Sequence, residues 1–132
     1  MMKDTLVEQA VHTMKHAYAP YSNFAVGAAL QTTDGNIYTG VNIENAAYGS
    51  SCCAERVAIF SAIANGEREF AGLAVSAHTK RPVPPCGACR QVMSEFFPKD
   101  MPIYLVSESK EVITFSMEKL LPFSFSPTDL TD

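Results

Sequence analysis

The chain has 132 residues, a net charge of −4 and 47% hydrophobic residues. That is the size of one ordinary domain, too apolar for a disordered tail and with no apolar run long enough to cross a bilayer. The 10 lysines and arginines are scattered rather than gathered into a tract that a phosphate backbone would read, so a nucleic-acid polymer is disfavoured and a small-molecule partner is favoured.

The opening stretch MMKDTLVEQAVHTMKHAY has no apolar block followed by small residues, so no secretory signal is expected and the default location is cytoplasmic. Within residues 3–18, Leu6, Val7, Ala10, Val11, Met14 and Ala17 recur at helical intervals. Asp4 or Thr5 is expected to cap this helix, and Ala19-Pro20 to stop it. Two strands near 25–32 and 36–43 follow, joined at Asp34-Gly35 as a hairpin.

After the small-residue loop NAAYGSS comes a second helix, with Ala54, Val57, Ala58 and Ala62 on one face. Ile59, Phe60 and Ile63 make its other sides apolar too, which predicts burial nearly all round. Asn65-Gly66 is expected to end it. FAGLAVSAH reads as a buried strand, KRPVPP as irregular, ACRQVMSEFF as a third helix, MPIYLVS as another buried strand and EVITFS as a short last strand. SMEKLLP predicts a final helical turn, and the polar tail SPTDLTD is expected to fray.

The expected fold is therefore α/β, a three-layer α/β/α arrangement with a mixed sheet of about five strands and helices on both faces. With no repeat, linker or low-complexity tract, residues 1–132 are read as one domain. Sheets of this kind place sites where loops meet helix starts.

Both cysteine clusters fall at such places. In PPCGACRQ, Cys86 and Cys89 are three apart, so both sulfurs can face one point from a helix's first turn. The partial positive charge there favours thiolate, which zinc binds readily. A redox pair is the competing reading of CGAC. The other cluster, SSCCAER, adds Cys52, Cys53 and Glu55. Three thiolates plus a water make the open, catalytic form of a zinc site, and a carboxylate beside the water takes its proton. Spacing alone leaves both Cys52 and Cys53 in reach of Glu55's face of a helix.

Cys53-Ala54-Glu55, followed by Pro85-Cys86-Gly87-Ala88-Cys89, resembles the zinc nucleoside and nucleobase deaminases. AYAPYSNFAVGAA (17–29), VNIENAAYG (41–49) and LLPFSF (120–125) narrow the likeness to the small, homotetrameric cytidine deaminases, nearly end to end.

The resemblance implies one Zn2+ per subunit on Cys53, Cys86 and Cys89, with Cys52 a packed neighbour. It implies Glu55 as the catalytic proton carrier in hydrolytic deamination of cytidine and deoxycytidine to uridine and deoxyuridine plus ammonia, a pyrimidine-salvage reaction. Arg56 would donate to ligand sulfurs. Asn42 and Glu44 would hold the sugar hydroxyls, Phe24 would pack on the pyrimidine ring, and the Ala54 N–H would meet the base carbonyl. Tyr48 and Phe125 would reach a neighbouring subunit's site, although Phe123 shares Phe125's alternation. Arg90 is read as structural or as a subunit contact.

The rival functions are a related deaminase with another substrate, a thiol redox protein, and a structural zinc module. The last needs a fourth ligand, for which only His78 and Cys52 are on offer, neither at convincing spacing.

Overall fold

The computed structural model describes residues 1–131. Helix α1 (Met2–Thr13) is followed by strands β1 (Val26–Thr32) and β2 (Ile37–Val41), helix α2 (Ala54–Ala64), strand β3 (Phe70–Ala77), helix α3 (Gly87–Phe96), strands β4 (Pro102–Val106) and β5 (Val112–Ser116), and helix α4 (Met117–Leu120). The strands form one sheet in the order β2-β1-β3-β4-β5. The β3–β4 pair is parallel and the other three pairs are antiparallel, so the sheet is mixed.

Two crossovers follow from that order. Strands β2 and β3 are each antiparallel to β1, hence parallel to one another, and α2 makes the return between them. Helix α3 makes the return from β3 to its parallel neighbour β4. Strand alternation then sorts the core into two faces. Leu30, Leu73, Val75, Ile103 and Leu105 turn toward Ile59 of α2 and Met93 of α3. Ala29, Ala74 and Tyr104 turn the other way, toward Leu6 and Ala10 of α1. Each large side chain buried in this way contributes roughly 1.5–3 kcal/mol. The three-layer α/β/α fold expected from the sequence is the one observed.

Several local expectations are corrected. The regular part of α1 ends at Thr13, and a 3-10 turn at Met14–His16 completes it, rather than a helix reaching residue 18. Tyr18 is drawn instead into backbone hydrogen bonds with the segment after β2: its N–H donates to Asn42 O and its carbonyl accepts from Glu44 N. Met1 is the N-cap of α1, and neither Asp4 nor Thr5 caps it. Helix α2 is not buried all round, because Phe60 is 47% exposed while Ala54, Glu55, Ala58, Ile59 and Ala62 form the buried face. Up to residue 131 the tail does not simply fray: Ser126 and Asp129 form a capping box at the start of a 3-10 turn over Pro127–Leu130, and Asp132 lies outside the described residues. Among the described residues, no helix is long and apolar enough to cross a membrane.

One glycine sets how close α2 lies to the sheet. A Cβ on Gly40 of β2 would stand 3.0 Å from Ala58 Cα, and closer still to Ala54 O and Ala58 N. The helix backbone thus rests directly on the strand, which only glycine permits. The Gly40→Ala variant is expected to lose about 1–3 kcal/mol of stability in urea denaturation.

Candidate metal centre and active site

Two helix starts converge at one end of the sheet. Cys53 is the N-cap of α2, in extended backbone at φ −76° and ψ 155°. Cys86 is the N-cap of α3, and its sulfur accepts a hydrogen bond from the Cys89 N–H at 3.5 Å. The local sequence explains both starts. Pro84-Pro85 holds the chain extended up to Cys86. Before α2, the backbone of Cys52 exchanges two 2.9 Å hydrogen bonds with Ile43, tacking the 44–51 loop to the end of β2.

The sulfurs of Cys53, Cys86 and Cys89 all lie within 4.8 Å of one another, and Cys53 Sγ is 3.9 Å from Cys86 Sγ. A tetrahedral zinc with Zn–S bonds of about 2.3 Å sets sulfur–sulfur separations of about 3.8 Å, so the donor set fits that ion. All four cysteines are free thiols. Cys52 is outside the cluster: partial burial raises its thiol above the usual range, and its contribution is the backbone bridge to Ile43. His78 is likewise outside it, which leaves, among the described residues, three protein ligands and an open fourth position, as in catalytic rather than structural zinc sites.

The electrostatics favour a deprotonated sulfur. Hydrogen bonds from Cys89 and from Arg56 lower Cys53 to about 5 despite partial burial. Arg56 Nη2 donates to Cys53 Sγ at 3.3 Å. Cys89, fully buried and donor in that pair, is pushed up; metal binding displaces such a proton. Both helix N-termini add partial positive charge on the same side.

Glu55, in the first turn of α2, is only 5% exposed. Burial, with the nearby Cys53 sulfur adding to it, pushes its carboxyl up to about 7, against the opposing pull of a backbone hydrogen bond and Arg56. It lines a cavity of about 230 Å³ together with Phe24, Asn42, Cys53, Cys86 and the apolar wall Val26, Val75, Ala77, Val83, Pro84 and Pro85. Pockets for drug-sized ligands run roughly 300–1,000 Å³, so this one suits a small molecule.

The other residues singled out from the sequence divide. Asn42 lies just past the end of β2 rather than in it; its Oδ1 accepts from Val26 N at 2.9 Å and its Nδ2 donates to Phe24 O at 2.7 Å. Glu44 does not line the same cavity. It belongs to an adjoining depression with Tyr21, Ser22, Tyr48 and Ser51. Ala54 is the first residue of α2 and fully buried. Tyr48 is 74% exposed and stacks edge-on to Tyr21 at 6.0 Å. Phe125 is exposed and away from the cavity, its carbonyl accepting from Gln91 Nε2 at 3.1 Å. Arg90 has a structural place, donating at 2.8 Å to both Pro85 O and Leu120 O. The sequence reading missed the wall from β3 and the PVPP loop, because irregular prolines and a buried strand carry no chemical mark of a pocket.

An α/β/α fold with an open three-sulfur site and a buried carboxylate defines a zinc hydrolase site. Residues 2–105 match the cytidine and deoxycytidylate deaminase zinc-binding region, and the chain belongs to that family, with Cys53, Cys86 and Cys89 as its zinc-binding triad. It is 47% identical over 132 residues to a cytidine deaminase of Halalkalibacterium halodurans, covering 100% of both chains. It is 48% identical over 128 residues to one of Sporosarcina psychrophila, covering 97% of this chain and 94% of the relative. The crystal structure of cytidine deaminase from Burkholderia pseudomallei superposes with a TM-score of 0.92 at 49% identity, over 95% of this chain and 100% of that one.

Metal analysis separates the adjacent cysteines. Wild type is expected to carry one zinc per chain and Cys52→Ala to keep it, whereas Cys53→Ala should lose most of it, as read by atomic absorption on dialysed protein.

Proposed function

We propose that this chain is a zinc-dependent cytidine deaminase, hydrolysing cytidine and deoxycytidine to uridine and deoxyuridine plus ammonia in pyrimidine salvage, with residues 1–132 as one catalytic domain. The observation that carries the reading is the pairing of the three-sulfur site with the buried Glu55 carboxylate on one small cavity. The substrate follows from the end-to-end likeness to cytidine deaminases.

Cys53, Cys86 and Cys89 would hold the zinc, which would supply an activated water as the nucleophile. Glu55 carries the protons, delivering one to the adjacent ring nitrogen and one to the leaving amine. Its burial keeps the carboxyl within reach of both protonation states near neutral pH, which suits a proton carrier. Three thiolates place excess negative charge on the site, which opposes activation of the water; the Arg56 contact to Cys53 and the two helix N-termini offset it. Phe24 packs on the pyrimidine ring, and the Ala54 N–H, in the first turn of a helix where backbone donors have no intrahelical partner, binds the base carbonyl. Asn42 and Glu44 take the sugar hydroxyls.

The active form is a homotetramer in which Tyr48 and Phe125 complete a neighbour's site. The exposure of Tyr48, Phe60, Phe123 and Phe125 supports burial against further copies of the chain. The location is cytoplasmic, where free thiols stay reduced.

Purified protein should convert cytidine to uridine with stoichiometric ammonia. The Glu55→Gln variant is expected to lose at least about 10²–10⁴-fold in kcat while keeping its zinc; a variant that retained wild-type turnover would remove Glu55 from the chemistry. Light scattering should return four chain masses, and Phe125→Ala should raise KM or weaken assembly; a fully active monomer would refute the shared site.

A further inference from the structure

Ser22 stands between two groups that the proposed function uses. Its Oγ accepts a hydrogen bond from the Phe24 N–H at 3.1 Å and donates one to Glu44 Oε2. The other carboxylate oxygen, Oε1, accepts from the N–H groups of Tyr21 and Ser22, each at 3.1 Å. Asn23, between Ser22 and Phe24, sits in the left-handed region at φ 58°, a conformation that asparagine tolerates better than most residues. That turn folds the Phe24 N–H back onto the hydroxyl, so the serine's proton is left for Glu44.

A carboxylate offers about four lone-pair sites. Three are taken by protein donors, which leaves one on Oε2 for a ligand, and Glu44 lines the depression with Tyr48 and Ser51. The Ser22 hydrogen bond is also the largest reason why Glu44 stays below the usual carboxylate range, and therefore ionised and acceptor-only. A group held in this way selects a ligand hydroxyl and gives a bare carbon no bond. Meanwhile Asn42, two residues earlier, holds Phe24 and Val26 by their backbones at the wall of the small cavity. The segments 21–26 and 42–44 thus run side by side, with the ring pocket at one end and the Glu44 acceptor at the other.

We propose that Ser22 is a positioning residue for sugar recognition, acting through Glu44 by fixing the carboxylate so that one lone pair faces the nucleoside's hydroxyls. This rests on the deaminase reading above. Ser22 lies in an exposed turn, so its replacement leaves the core intact.

The test measures kcat and KM with cytidine and with 2′,3′-dideoxycytidine, which lacks both sugar hydroxyls, alongside zinc content. With cytidine, Ser22→Ala is expected to raise KM about tenfold with kcat and zinc unchanged, the scale of one lost charge-assisted hydrogen bond. Ser22→Thr should restore KM. The effect should vanish with dideoxycytidine, and also in a Glu44→Gln background. An unchanged KM for cytidine overturns the proposal, as does an equal loss on both substrates, which would locate the effect at Phe24 or in the fold. Loss of zinc or a matching fall in kcat overturns it too. Wild type that holds zinc yet never deaminates cytidine would instead sink the deaminase reading, and this one with it.

Discussion

Everything at the site depends on two helix N-termini being brought to one point at the end of parallel strands. Cys53 and Cys86 are the N-caps of α2 and α3, and Cys89 lies one turn into α3. Helix α2 returns the chain from β2 to β3 and α3 returns it from β3 to β4, so both helices begin at the same end of the strands. Three sulfurs held that close would repel as thiolates. Positive helix ends, the Arg56 guanidinium and a cation between them make the arrangement tolerable. The sheet order is therefore also the electrostatic design of the site.

Precision comes from contacts that carry no chemistry of their own. Gly40 lets the backbone of α2 rest on β2, which fixes the depth of its first turn. The Ile43–Cys52 bridge fixes its lateral position one residue before the ligand. Arg90 does the same for the other ligand pair, joining Pro85 to Leu120 and so tying the approach to Cys86 to the C-terminal segment. A site in which small displacements matter is supported here by backbone and by residues one position removed from the ligands.

Glu55 and Glu44 sit in two different environments. On the metal side, Glu55 is buried and pushed up to about 7, as a carboxyl that exchanges protons should be. Beyond Asn42, Glu44 is solvated, fed by three donors and held below the usual range, as suits a permanent acceptor. Burial and hydrogen bonding thus shift two glutamates of the same chain in opposite directions.

By itself the sequence determined the class of fold and the chemistry of the centre. Hydrophobic period, Asp34-Gly35, Asn65-Gly66 and the proline run are local signals, and they marked most of the helices and strands to within a few residues. Cys86 and Cys89 were legible as a pair from their spacing, whereas Cys53 and Glu55 were assigned through the resemblance to the zinc deaminases, whose register places a ligand two residues before the glutamate. Local signals failed where distant backbone decided the outcome. Tyr18 left its helix for a bridge to the segment after β2, and Phe60 faced outward because α2 has only one sheet to cover. Only the tertiary structure could choose Cys53 over Cys52 on geometric grounds. Adjacent residues differ by the direction of one side chain, and that direction is set by pairing Cys52 with Ile43. For the same reason, the cavity wall from β3 and the PVPP loop, and the link from Ser22 to Glu44, became visible only once residues far apart in the chain lay side by side.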